Sequence, residues 1–184
     1  TAIDLLFTLT VRNDPFADLL FHTRQANADE GSTNAGSTTA NDIVQIKISE
    51  PLARIRKGVI ASNNAPPGVF APAPPVPAGV SISAPGGACP RFSGGPIQSG
   101  NLGSTFNSNL SGVDAGDLVT FGVVVENTGS RSAFDVRMRD TLPAGFSLPV
   151  GGLNLCVTDG TGSPIVYSAV GTGFFDPAGG IELT

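Results

Sequence analysis

The chain has 184 residues and a formal net charge of −5, and only 14% of its residues are charged. An acidic, sparsely charged chain has no electrostatic attraction to nucleic acid or to an anionic membrane surface. Its 24 glycines and 15 prolines suit short strands and turns and leave little from which to build long helices. No initiating Met, signal-peptide pattern or bilayer-length apolar run is present, so the sequence reads as a mature product, a fragment or a window on something longer. Mean hydropathy is +0.17. Such a surface is either covered by neighbours in an assembly or that of a Ser/Thr-rich secreted domain.

Residues 3–12 alternate, with Phe7, Leu9 and Val11 on one face and Thr8, Thr10 and Arg12 on the other, which predicts a half-buried strand. Asn13-Asp14-Pro15 is a turn signal. Residues 18–26 read as a second strand and 27–41 as an aperiodic loop. A third strand is predicted over 42–48, with Val44, Ile46 and Ile48 on its apolar face, ended by Glu50-Pro51. In the strand over 52–60, Ala53, Ile55 and Val59 share a face while Arg54 and Arg56 point away. Lys57 falls on the apolar face.

Periodicity is lost over 61–111. Pro66-Pro67 and the run 71–77 favour polyproline II. A stretch this long inside a compact domain reads as an insertion or arm lying on a neighbouring surface, or as a flexible linker. Val80, Ile82, Phe92 and Phe106 weigh against full disorder. Residues 117–127 give the strongest strand pattern, with Val119, Phe121, Val123 and Val125 on one face. Asn127-Thr128-Gly129-Ser130 then turns the chain into a strand over 134–140, with Val136 and Met138 inward. Leu142-Pro143-Ala144-Gly145 is a tight turn. Short strands are predicted near 153–157 and 165–169, and 179–184 reads as the start of another, cut short. No amphipathic helix of ordinary length is visible. The fold class is all-β, and many short strands with frequent turns point to a β-sandwich.

The stretch opening at Val113 joins several motifs: Gly116-Asp117 before a long Thr/Val strand, Asn127-Thr128-Gly129, and Asp140-Thr141-Leu142-Pro143-Ala144-Gly145. Together they resemble the opening half of a tandem-repeat, immunoglobulin-like β-sandwich family of unknown function, found in bacterial cell-surface and fimbria-like proteins. LLFTLTVRND, LLFHTRQANADEG and NDIVQIKISEP resemble the closing strands of such a repeat, and LARIRKGVI the first strand of the next. The resemblance implies closing strands over 1–50, a first strand over 51–60, a Pro/Gly/Ser-rich insertion over 61–111 that departs from the family, and an opening half over 112–184. Each half would leave an open sheet edge. Either the halves close on each other within the chain, or residues 1–50 of a neighbour complete the C-terminal half and give a head-to-tail polymer. Residues 181–184 followed by 1–5 also read as continuous strand-like sequence, as one period of a longer polypeptide would.

Lys57 is the residue with the sharpest chemical implication, because burying a bare ammonium is costly. Asp140 is in phase with Val136 and Met138, and Asn127 with Val125. The resemblance implies a Lys–Asn amide cross-link, with Lys57 as nucleophile, Asp140 as proton relay and Asn127 or Asn27 as electrophile; an Asn27 partner would join two subunits. The alternative is that Lys57 snorkels to the sheet edge or makes a salt bridge with Asp140. Cys89 and Cys156 form either one disulfide, favoured in a secreted-looking β-rich chain, or two separate thiols. No CxxC or HxxxH metal spacing occurs. Asp29, Glu30, Asp42, Asp114 and Asp117 are loop acids for which turn capping is expected ahead of calcium binding. His22, the only histidine, has no GxSxG partner, and Gly160-Thr161-Gly162 lacks a phosphate motif. Asn109-Leu110-Ser111 matches the glycosylation sequon.

These readings predict no catalytic residue, metal, cofactor, small-molecule substrate, nucleic acid or membrane insertion, and copies of the chain itself as partners. The expected function is that of a structural subunit or repeat of an extracellular bacterial filament, fimbria or surface layer. The second expectation is an adhesive or stalk module binding a host, sugar or neighbouring-cell ligand. An enzyme ranks last, because no acid–base constellation assembles.

Overall fold

The computed structural model describes residues 6–10, 17–30, 38–65, 67–103 and 105–184. Their regular structure is nearly all β. The strands are β1 (Phe21–Glu30), β2 (Thr38–Lys47), β3 (Ala53–Ser62), β4 (Val69–Ala71), β5 (Ser81–Ile82), β6 (Phe92–Ser93), β7 (Asn109–Ser111), β8 (Val119–Asn127), β9 (Arg137–Met138), β10 (Tyr167–Val170) and β11 (Gly180–Leu183). A single helical turn, α1 (Ser99–Leu102), interrupts them. Among the described residues the strands form antiparallel pairs β1-β2, β3-β8, β4-β7 and β5-β6 and one three-stranded sheet ordered β10-β11-β9. The chain divides into two compact units, Thr1–Leu52 with Gly129–Ser132, and Ala53–Thr128 with Ala133–Thr184.

The first unit is built on the β1-β2 ladder, paired from Phe21↔Lys47 to Glu30↔Thr38. Of the loop expected over 27–41, residues 27–30 and 38–41 are strand instead and 31–37 lie outside the described residues: Asn27 faces Asn41, Asp29 faces Thr39, and the Thr39 hydroxyl donates to Asp29 at 2.8 Å. Cross-strand polar pairs of this kind extend a ladder that apolar periodicity does not reveal. Of the strand expected over 3–12, residues 6–10 join no sheet; residues 3–5 and 11–12, the Asn13-Asp14-Pro15 turn and the 1–5 side of the chain-end junction lie outside the described residues. Ile43, Val44 and Ile46 on β2 are all more than half exposed. A lone two-stranded ribbon with its apolar residues uncovered is marginal by itself.

Asp18 ties this unit together. Its carboxylate accepts from the Ser130 hydroxyl at 2.6 Å, the Ser130 amide at 2.9 Å and the Glu50 amide at 2.7 Å. Gly129 lies so close to the Glu50–Leu52 backbone that any side chain there would collide with it. The Ser130 hydroxyl first, and the Glu50 amide next, hold the Asp18 carboxyl below its ordinary value.

The second unit is organised by the β3-β8 ribbon, with Ile55↔Val125, Lys57↔Val123, Gly58↔Gly122 and Val59↔Phe121 in register. Alternation places Lys57, Val123 and their odd-numbered neighbours on one face and Gly58, Gly122 and Val124 on the other. The Gly58–Gly122 pair forms a notch. A Cβ at Gly58 would stand 2.7 Å from the Phe106 carbonyl oxygen and the Ser108 nitrogen, and one at Gly122 would stand 2.8 Å from the Phe106 ring. The 106–108 backbone fills that notch, and Val59 N–H donates to Ser108 O at 2.9 Å.

This notch seats the core. Val76, Val80, Leu102 and Phe106 are its buried members, with Ile60, Ile82, Phe92, Ile97 and Val124 packed around them. All four buried residues come from 61–111, so that stretch is corrected from an arm or linker to the part of the chain that supplies the core of its own unit. Its signal was missed because it buries isolated apolar residues between turns, without strand or helix period.

Two further corrections concern strands. The strand expected over 134–140 shrinks to Arg137–Met138, since Asp135 has φ +52 and cannot continue an extended run. Within 179–184, β11 is the central strand of its sheet: Ile181 faces both Ala169 and Met138, and is 2% exposed. Residues 153–157 form no strand; an isolated bridge joins Thr158 and Pro164 nearby.

Two predictions follow from these contacts. Gly58→Ala forces a methyl into main-chain atoms that cannot move aside, and should destabilise the second unit by about 3 kcal/mol in urea denaturation. For Asp18, the folded-state pKa lies below the unfolded value of about 3.9. Its stabilisation is therefore full above that value and is lost as pH falls through it toward the folded pKa. Amide exchange in β1 and β2 should accelerate as pH drops below about 4, after correction for intrinsic rates. Asp18→Asn should show the faster exchange already at neutral pH, with a flatter acid response.

Candidate functional site

A cleft of ≈ 1100 Å³ lies in the second unit. Every residue from Asp117 to Asn127 lines it. Successive strand residues point to opposite faces, so a cavity can touch all of them only by running along the open edge of the strand. β8 is paired through one edge to β3, and no other strand among the described residues pairs with it. One wall of the cleft is the 82–102 region, with Ile82, Phe92 and Ile97; the other is the 142–157 region, with Phe146, Leu148 and Leu155.

The two walls are fixed to each other. Cys89 and Cys156 form a disulfide with Cα atoms 5.6 Å apart. Ile97 N–H donates to Gly160 O at 2.7 Å, and the Asn154 side-chain amide donates to Gly87 O at 3.3 Å. Gly160 is presented by a small closed loop in which Asp159 accepts from the Thr161 hydroxyl and from the amides of Thr161 and Ser163. Those donors, the Thr161 hydroxyl foremost, hold the Asp159 carboxyl below its ordinary value. Gly160-Thr161-Gly162 is thus a wall-building turn.

Lys57 and Asp140 meet within this cleft. Lys57 Nζ lies 2.5 Å from Asp140 Oδ2 and 5.3 Å from the Phe121 ring centroid. Phe121 in turn meets Phe146 edge-to-face at 5.9 Å. The Asp140 main chain is held by its N–H bond to Phe174 O at 3.0 Å, and its Oδ1 caps Thr141 N–H at 2.8 Å. The pair remains partly exposed, with side chains 36% and 22% accessible.

Asn127 is not brought to this pair. Asn127 faces Ala53, four residues along β8 from the Val123 that faces Lys57. At about 3.3 Å per residue that is roughly 13 Å, too far for an amine to reach an amide carbon. Asn127 is therefore corrected from electrophile to strand-end residue. Asn27 belongs to the first unit, opposite Asn41. What the geometry holds is an ion pair with an aromatic lid.

The loop acids act locally. Asp42 caps Ile43 N–H, Asp114 caps Ala115 N–H, and Asp117 accepts from Asp114 N–H at 2.7 Å. Glu30 closes β1. Among the described residues no group of three His, Cys, Asp or Glu could hold a metal ion. His22 stands in β1 opposite Ile46. Asn109 is exposed in β7 opposite Ala71, so its sequon faces solvent. The Gly58–Gly122 notch and the Asp18 knot were not found from sequence; the paired glycines inside two strands were the available signal, since strand glycines mark close backbone approach.

No family model, curated protein or solved structure matches the chain.

The disulfide spans 67 residues. Its closure should contribute about 4 kcal/mol by restricting the unfolded chain. Replacing both cysteines by serine should lower the unfolding free energy by that order in denaturant titration, and speed amide exchange in both cleft walls.

Proposed function

We propose that the chain is a structural subunit or repeat of an extracellular bacterial filament, fimbria or surface layer. Its halves assemble head-to-tail by β-strand complementation, and the completed form is an immunoglobulin-like sandwich. The observation that carries this reading is the open apolar cleft along β8 in a chain that also leaves the apolar residues of its first unit exposed. An unpaired strand edge is a template for another strand, and folded proteins normally cover it.

Three further features support the reading. The disulfide suits an oxidising compartment outside the cytosol. Sparse charge suits a surface covered by neighbours. Among the described residues no helix is long and apolar enough to cross a membrane. The cleft walls are mainly aliphatic and aromatic, and the Lys57 and Asp140 charges answer each other. A strand suits such walls better than a sugar does, which favours assembly over the adhesive reading.

Light scattering coupled to size exclusion, over a hundredfold concentration range, tests the proposal. Masses at multiples of 18.6 kDa that grow with concentration are expected. A single species at the chain mass throughout would sink it.

A further inference from the structure

We infer that the seat along β8 receives residues 6–10 of a second copy, laid in as an additional β-strand. This rests on the assembly reading above and names the donor segment and the acceptor edge. The cleft has a wall on each side of β8, so a strand placed there is buried on both faces. Strands buried on both faces are apolar or uncharged throughout, without a polar side.

Neither ladder strand of the first unit meets that requirement. β1 carries His22, Arg24 and Asp29, and β2 carries Asp42 and Lys47, so either would bring charge into the cleft. Leu6-Phe7-Thr8-Leu9-Thr10 carries none, and its threonines and bulky apolar residues favour the extended state. Residues 6–10 join no sheet in the structure. Leu6, Phe7 and Leu9 are 95%, 75% and 80% exposed. Phe7 borders a small cavity beside Arg24 and Ile43. Among the described residues the chain thus holds a strand-like segment without a sheet and a sheet edge without a strand. Because each copy carries one of each, the pairing repeats head-to-tail.

The test uses the full chain, its Leu9→Asp variant, and a synthetic peptide of residues 1–14 with and without the same substitution. Leu9 is exposed, so the variant should fold as the parent does. The expected result is that Leu9→Asp weakens self-association roughly a hundredfold, because a carboxylate would be buried. The parent peptide, but not its Leu9→Asp form, should inhibit assembly and slow amide exchange at 119–127. Assembly unchanged in the Leu9→Asp chain would overturn the donor assignment while leaving the assembly reading intact. Peptide protection outside 119–127 would overturn the acceptor assignment. Leu9-dependent protection of β8 in a strictly monomeric chain would show closure within one copy and overturn the second-copy donor. A monomer with no peptide binding would overturn both this inference and the assembly reading.

Discussion

The open edge of β8 is the constraint around which the second unit is arranged. Main-chain N–H and C=O groups require partners once water is excluded. One edge is satisfied by nine residues of ladder shared with β3. The other faces a cleft whose walls are tied by the Cys89–Cys156 disulfide, the Ile97–Gly160 hydrogen bond and the Asn154–Gly87 hydrogen bond. Walls held that firmly do not collapse onto the edge. A collapsed cleft would bury β8 against side chains unable to pair with its backbone, whereas a rigid one keeps strand-like access to it.

The opposite face of the ribbon shows how the unit stands without that position filled. Gly58 and Gly122 remove the side chains that would keep the 106–108 backbone away. Phe106 drops to 2% exposure over the notch, and Leu102 is fully buried beside it. The Val76–Phe106 cluster thus anchors one face, leaving the other free for different packing. On that other face the Lys57 ammonium is held between the Asp140 carboxylate and the Phe121 ring. A charge on an otherwise apolar sheet face is tolerable here because both partners are supplied locally and solvent still reaches them. Covering the pair would strengthen its attraction and raise its desolvation cost together, so the ion pair can set register without dominating affinity.

How much of this was legible follows from which interactions have a period. The β3 and β8 strands were read nearly to their ends because their side chains alternate, and the same alternation put Lys57 and Asp140 among apolar residues before any contact was known. The core could not be read. Its members are scattered through a segment of turns, where burial depends on tertiary closure rather than on a repeat. The β1-β2 ladder was cut short in the reading because its far half is held by polar pairs such as Thr39–Asp29. Asn127 was linked to Lys57 by facing parity alone. Parity fixes the side of a sheet but not the distance along it, and the register separated the two.

The same distinction bears on the first unit. Its ladder is long, yet its apolar residues stay exposed, and its compactness comes from Asp18 gathering Ser130 and Glu50. Hydrogen bonds to a carboxylate fix geometry well, but at an exposed site they add little net stability. Such a unit is well ordered for its size and poor in buried apolar area. Burial is the dominant favourable term in folding, so the unit gains most from a surface that covers Ile43, Val44 and Ile46. The second unit has the reverse deficit: it has a core, but a sheet edge and an apolar cleft left over. The two units are thus incomplete in different ways, one in buried apolar area and the other in strand pairing.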